Sequence, residues 1–343
     1  MNNKKRIRII DTTLRDGSHA VSHTFSPEQA EMIAEGLDRS GVFMVECAHG
    51  DGINGSSFNY GFSKYDEREL HRKMIPKLKS AKPAVLLIPG VGTIEDLKAV
   101  HEIGIEAVRV ATHVTEADIG IQHIEYAKSA GMMAVGFLMM AHMEGPEKIL
   151  EQARIFQDAG ADYINVADSA GHMLPEDVKS RIGFLAEHLD IPVGFHAHNN
   201  LGLAIANSLA AARVGASYLD ATCRGLGAGA GNAQLEVLVA VLALAGFETG
   251  VDLYTIQDVA EHVVEPVMQR PQIINTAALS LGYAGVYSSF LLHANRAAER
   301  FGLNPRDILM ELGHRKMVGG QEDMIVDVAY ALAQQRKKMR GLF

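Results

Sequence analysis

Two short runs carry the chemistry that this sequence can perform: Asp11-Thr-Thr-Leu-Arg15-Asp16-Gly-Ser-His19, and far downstream His196-Ala-His198-Asn-Asn200. Each follows an apolar stretch that reads as a strand, Ile7 to Ile10 and Val193 to Phe195. Side chains two apart on an extended strand point the same way, so His196 and His198 can converge where a helix would separate them. Joined by the Asp16 carboxylate from another strand end, they form the facial set of two imidazoles and one carboxylate. That set leaves positions open on a divalent cation for a chelating ligand. Alone, each motif has an ordinary explanation, a helix-capping Asp or a chance His-x-His. Placed together at the strand ends of one fold, they are read as metal ligands.

Other residues gather around these runs. Arg15 adjoins Asp16, and a guanidinium there suits a carboxylate or a developing enolate oxygen at any working pH. His19 lies in the same loop and can serve as a general base, since an imidazole titrates near neutrality. Asn232 closes the loop Gly225-Leu-Gly-Ala-Gly-Ala-Gly231. It can add an oxygen ligand, but the expectation is that it caps the following helix, as Asn commonly does. The glycine loop lacks the Gly-Lys-Ser/Thr of a P-loop, so it is read as a tight turn and not as a phosphate cradle. His49-Gly-Asp51-Gly, His113, His142 and His172 also follow apolar runs, and spacing does not rank them. Nor does it say whether Tyr283 or Tyr287 reaches the site.

The elements that must position these groups repeat with a simple rhythm. Short runs rich in Val, Ile and Ala alternate with longer 3.6-period segments. The runs are Ile7–Ile10, Phe43–Glu46, Val85–Ile88, Ala107–Val110, Ala134–Leu138, Tyr163–Val166, Val193–Phe195 and Tyr218–Ala221. Pro27 and Pro175 suit the first turn of a helix, and Gly41, Gly104, Gly131, Gly160 and Gly215 suit helix ends. Eight strand–helix units in ~250 residues predict an α/β fold, a TIM (β/α)8 barrel, whose chemistry collects at the C-terminal strand ends. Arg15, Asp16, Ser169, His196 and His198 all fall there. The catalytic barrel is expected over 1–250. A helical C-terminal region over 251–343 would cover the barrel mouth or form an interface, with helices at Tyr254–Val264, Ser288–Phe301, Pro305–Leu312 and Glu322–Lys337. Arg270-Pro-Gln and Gly282-Tyr-Ala-Gly-Val read as irregular connections.

Bulk composition excludes several classes. The chain has 343 residues and a formal net charge of -9, with no basic run interleaved with aromatics, so no nucleic-acid role is assigned. The basic start (Lys4, Lys5, Arg6, Arg8) reads as a solvated entry to the barrel. No signal-peptide core or long uncharged apolar run is present, which predicts a cytoplasmic protein with no membrane association. Cys47 and Cys223 are the only cysteines, and both read as buried small side chains.

The Asp-Thr-Thr-Leu-Arg-Asp-Gly run together with His-x-His-Asn resembles the superfamily of metal-dependent pyruvate aldolases, isopropylmalate and homocitrate synthases and hydroxymethylglutaryl-CoA lyases. Further runs are Arg15-Asp-Gly-Ser-His-Ala20, Glu46-Cys-Ala-His-Gly-Asp-Gly52, Ala167-Asp-Ser-Ala-Gly171, His196-Ala-His-Asn-Asn-Leu-Gly202 and Val286-Tyr-Ser-Ser-Phe290. These are similar to the 4-hydroxy-2-oxovalerate aldolase family within it, over nearly the whole chain. His19 carries much of that assignment, because the synthases and the lyase typically have Gln in its place.

The resemblance implies a divalent metal, commonly manganese with cobalt or magnesium also possible, held by Asp16, His196 and His198. It implies Arg15 as the group that stabilises an enolate, His19 as base, Ser169 in contact with bound keto acid, and Tyr287 shaping the substrate end of the pocket. The implied reaction is retro-aldol cleavage of 4-hydroxy-2-oxopentanoate to pyruvate and acetaldehyde, in meta-cleavage degradation of aromatic compounds. The implied partner is an acylating acetaldehyde dehydrogenase in a hetero-oligomer, receiving the aldehyde directly. Two other readings share the sequence. One is a Claisen-type synthase joining an acyl-CoA to a 2-oxo acid on the same metal. The other is a barrel that serves mainly as a structural subunit of an aldehyde dehydrogenase.

Overall fold

The computed structural model describes residues 5–340; Lys4, at the basic start of the chain, and the last three residues of the C-terminal region lie outside the described residues. Eight parallel strands close into a barrel: β1 (Arg8–Leu14), β2 (Met44–Cys47), β3 (Lys82–Leu87), β4 (Ala107–His113), β5 (Met133–Met139), β6 (Tyr163–Asp168), β7 (Val193–Ala197) and β8 (Tyr218–Ala221). Each pairs with the next, and β8 closes on β1 with Ile10 opposite Asp220. The TIM barrel anticipated from the eight units is the observed architecture.

Local signals start and stop the surrounding helices. Ser26 caps the helix Pro27–Ser40 in a reciprocal box with Gln29, and Thr93 does the same for Ile94–Ile103 with Asp96. Such boxes satisfy backbone N–H groups that the first helical turn leaves without partners. Gly41 and Gly104 end these helices in the left-handed conformation, which costs a residue without Cβ little.

Alternation along the strands sorts the barrel interior into layers. The floor is apolar, with Ile10, Met44, Ala107, Val135 and Tyr163 stacked on Tyr218 at a ring separation of 3.9 Å. One step up, each of Glu46, Arg109, Asn165 and Asp220 is 1% exposed or less. Above these lie Leu86, Ala111, Phe137 and Ala167, and then the mouth. Burying each large aliphatic side chain of the floor and outer shell is worth roughly 1.5–3 kcal/mol. The polar middle layer holds together only through its internal pairing.

Three expectations are corrected. β1 does not stop at Ile10: it runs to Leu14. Its polar residues tolerate burial because the Asp11 carboxylate accepts from the Thr13 N–H at 2.9 Å and from Thr13 Oγ1 at 2.7 Å. Gly282-Tyr-Ala is not an irregular connection but the end of a helix, Thr276–Ala284, closed by Gly285. Gly282 is needed there because a Cβ would lie 2.8 Å from that of Asn200. The expected helix over Tyr254–Val264 is α-helical over Leu253–Asp258 and continues as a π-helical stretch, Val259–Val264.

The helices Thr276–Ala284, Phe290–Phe301, Pro305–His314 and Met324–Arg340 enclose a second apolar core around Leu281, Phe290, Leu309, Leu312, Ile325 and Val328. Barrel loops grip this region directly. His172 Nδ1 donates to the Gly282 carbonyl at 2.7 Å, His142 Nε2 donates to that of Gly285 at 3.1 Å, and Ser288 Oγ donates to that of Ser169 at 2.6 Å. The two histidines therefore tie the C-terminal helices to the barrel. Among the described residues, no helix is long and apolar enough to cross a membrane.

Candidate active site and metal centre

β1 ends in a turn that aims Asp16 inward, its N–H bonded to the Thr12 carbonyl at 2.9 Å. His196 lies on β7, and His198 follows it, bridged to Asn232. Their ligand atoms form a nearly equilateral triangle. His196 Nε2 is 3.2 Å from Asp16 Oδ2 and 3.4 Å from His198 Nε2, and His198 Nε2 is 3.5 Å from Asp16 Oδ2. Bonds of ~2.1 Å to a six-coordinate cation set adjacent donors ~3 Å apart, close to these edges. All three residues are buried, and the set can hold a divalent metal ion.

A closed ring of charges runs through this triangle. Arg15 Nη1 reaches Asp16 Oδ2 at 3.4 Å and Arg15 Nε donates to Glu46 Oε2 at 2.7 Å. Arg109 Nη1 lies 3.3 Å from Glu46 Oε2, and Arg109 Nη2 donates to Asp220 Oδ2. The same Asp220 oxygen accepts from His196 Nδ1 at 2.9 Å, and His196 returns the ring to Asp16. A carboxylate on the far nitrogen of a metal-binding imidazole fixes its tautomer and raises its basicity. Glu46, Arg109 and Asp220 escape the sequence reading. Their signal is a charge at an inward-facing position of an otherwise apolar strand.

Each shift in acidity follows from this ring. Burial pushes the Asp16 carboxyl upward, but Arg15 and the imidazoles outweigh it and hold it well below the usual range. Burial lowers His196, yet its bonds to Asp16 and Asp220 raise it overall. Burial dominates at His198 and takes it down to about 4, so this imidazole is neutral. Burial disfavours charge on Arg15 as well, but Glu46 and Asp16 more than compensate, and its guanidinium stays protonated.

Asn232 is not a helix cap. The next helix begins at Leu235 behind Gln234, and Asn232 Nδ2 donates instead to Asp16 Oδ2 at 2.9 Å. Its buried Oδ1 and the buried Arg15 Nη2 have no hydrogen-bond partner among the described residues. Such orphans beside a convergent ligand set fit a cation with a bound oxyanion. The glycine loop is the tight turn expected, and a Cβ on Gly231 would lie 1.9 Å from the Gly225 carbonyl. Its N–H groups serve the protein, with Ala228 donating to Asp16 Oδ1 at 3.2 Å and Ala230 to Asn200 Oδ1 at 2.8 Å.

The remaining candidates separate clearly. His19 lines a cavity of about 170 Å³ together with Asp51, Tyr60 and Gly227. Tyr287 lines a neighbouring one of about 260 Å³ with His113, Met139 and Gly319, and the two cavities share Asp51 and Tyr60. Burial raises the Tyr287 phenol well above its ordinary value, with Asp51 and Asp16 adding to the effect; it stays a donor. Ser169 is buried directly after β6, and its Oγ accepts from the Met140 N–H at 3.0 Å. Tyr283 is 71% exposed and lines neither cavity. Cys47 and Cys223 are buried free thiols, pushed upward by burial.

Comparison with known proteins agrees with this geometry. The HMGL-like family matches residues 6–263, and the DmpG-like communication domain matches 272–334. The fold and site thus define an HMGL-like barrel joined to a communication domain. A 4-hydroxy-2-oxovalerate aldolase of Moorella thermoacetica is 64% identical over 332 residues, covering 97% of this chain and 98% of that relative. One from Carboxydothermus hydrogenoformans is 61% identical over 97% of this chain and 99% of its own. The chain belongs to the 4-hydroxy-2-oxovalerate aldolase family. Among solved structures, the carboxyl transferase domain of Rhizobium etli pyruvate carboxylase superposes with a TM-score of 0.81 at 19% identity, covering 97% of this chain and 61% of that one. The N-terminal domain of a putative aldolase from Bacteroides vulgatus gives 0.71 at 23% identity, covering 86% of this chain and 98% of that one. At these identities the likeness is one of fold.

Proposed function

We propose that this chain cleaves 4-hydroxy-2-oxopentanoate to pyruvate and acetaldehyde at the barrel mouth, with a divalent cation, most readily Mn2+, held by Asp16, His196 and His198. The carrying observation is the triangle of donor atoms beside the unpaired face of Arg15. When bound, the cation supplies Lewis acidity toward the carboxylate and C2 carbonyl of a 2-oxo acid.

The protein's own groups account for the proton and the charge. His19 accepts the C4 hydroxyl proton as the C3–C4 bond breaks and acetaldehyde leaves. The electron pair of that bond becomes the enolate of pyruvate, whose O2 charge faces the Arg15 guanidinium. Protonation at C3 returns one proton and yields pyruvate, so none is gained or lost overall. Ser169 keeps its hydroxyl hydrogen free to donate to the keto acid, and Tyr287 bounds the aldehyde end. Asn232 steadies Asp16, and the tether from Asp220 steadies His196.

The region beyond residue 250 is proposed as the docking unit for an acylating acetaldehyde dehydrogenase. Support comes from the match to a communication domain and from exposed apolar side chains on its helices, among them Leu279, Tyr283, Val326 and Tyr330. A cytoplasmic setting, in catabolism of aromatic compounds, suits that pairing. The test is product analysis on the purified chain supplied with 4-hydroxy-2-oxopentanoate and Mn2+. Pyruvate followed with lactate dehydrogenase and acetaldehyde measured chemically should appear in equal amounts. Release of CoA from an acyl-CoA and a 2-oxo acid, with no aldehyde, would replace this reading by the synthase.

A further inference from the structure

Gly50 lies against the His19 imidazole so closely that a Cβ built on it falls 2.4 Å from both Cε1 and Nε2 of the ring. A real Cβ there would force the His19 ring to shift. The φ of Gly50 lies outside the left-handed region, so the backbone here does not itself require glycine. What a Cβ would displace is the ring. His19 also meets the edge of His23, with ring centroids 5.2 Å apart, and His23 stacks on His49 at 3.8 Å and 20°.

That stack is itself fixed. His49 Nδ1 accepts from the Asp51 N–H at 3.1 Å, which makes Nε2 the protonated nitrogen, and Nε2 donates to the Gly61 carbonyl at 3.1 Å. His23 Nδ1 lies 3.0 Å from Ser18 Oγ. Burial takes His23 down to about 2 and His49 to about 3, so both rings stay neutral.

We propose that Gly50 and the stacked pair His23–His49 form a seat that positions the His19 imidazole for proton abstraction. This rests on the aldolase reading in which His19 is the base. Gly50 sets how deep the ring sits, and His23 sets its lateral position. Displacing a reacting group by about 1 Å costs on the order of 10²-fold in rate, so the seat matters without contacting substrate.

The test compares retro-aldol turnover with decarboxylation of oxaloacetate, which needs the cation and enolate stabilisation but no hydroxyl deprotonation. Gly50→Ala pushes the ring aside and should lower the retro-aldol kcat about 10- to 100-fold, while the decarboxylation rate and the Mn2+ affinity read by EPR stay near wild type. His23→Ala should lower the ratio of the two activities as well, and His23→Phe, which keeps the stack and the edge contact, should restore much of it. His19→Ala, run alongside, separates the two levels. If it leaves the ratio unchanged, the base reading falls and the seat with it. If it lowers the ratio while Gly50→Ala and His23→Ala do not, the seat alone is overturned. Equal loss of both activities in the folded Gly50 and His23 variants also overturns the seat, since that marks a general structural role.

Discussion

Asp220 Oδ2 stands 2.9 Å from His196 Nδ1, on the side of the imidazole away from Asp16, and the same oxygen receives Arg109. One buried carboxylate thus holds a ring proposed as a metal ligand and anchors the charge ring that leads through Glu46 back to Arg15. Under the proposed function, metal affinity and the placement of the Arg15 guanidinium are therefore physically linked.

Replacing Asp220 by Asn keeps the shape and a hydrogen-bond acceptor but removes the charge. Loss of such an outer partner typically costs about 10–100-fold in metal affinity. Mn2+ titration by EPR should show a weakening of that order, and an unchanged affinity would mean that Asp220 serves to pair Arg109 and Asn165 and not to tune the metal.

Arg15→Ala should act mainly on kcat. Its partner charge on the enolate O2 is fully present only near the transition state, and one such stabilising group is worth ~3 kcal/mol, about 100-fold. Steady-state kinetics at saturating Mn2+ separates the cases. A change in KM alone would contradict the assignment. Arg15→Lys should rescue little, because an ammonium cannot span Glu46 and the oxyanion as the planar fork does.

The same burial that holds β1 together predicts a pH effect on stability. Burial lifts the Asp11 carboxyl to about 7, against the bonds from Thr13 that lower it, whereas an unfolded Asp ionises near ~3.9. Between these values the unfolded chain loses the proton first. The contribution of Asp11 to stability therefore falls as pH rises from about 4 to about 7, with a slope of at most ~1.4 kcal/mol per pH unit. Asp11→Asn removes the ionisation. Denaturant midpoints at pH 5 and pH 7.5 should show the variant gaining on the native chain at the higher pH. A difference independent of pH would show that Asp11 ionises normally.

Much of the site is legible in the sequence because strand geometry does the sorting. His196 and His198 share a face by two-residue alternation, and Asp16 follows a strand that must lie in the same barrel. Glu46, Arg109 and Asp220 are harder to read. Each is a single charge inside an apolar run, and only the closed sheet shows that all three face one another. Asn232 misleads for a related reason. Asn before an apolar helix has the form of a cap, and only the fold of the glycine loop turns its amide onto Asp16. The helix Thr276–Ala284 is obscured by its small, apolar composition, which lacks a polar face, and by a Gly that its tight packing on Asn200 demands.

Metal titration of the stripped protein tests the central claim most directly. Chain freed of metal with a chelator should have no retro-aldol activity, and stepwise Mn2+ should restore it linearly to a plateau at one ion per chain. Asp16→Asn should bind the ion much more weakly and reach no comparable plateau. Full activity after stripping, or a plateau in Asp16→Asn matching the native chain at the same stoichiometry, would contradict a cation held by Asp16, His196 and His198 as the centre of this reaction.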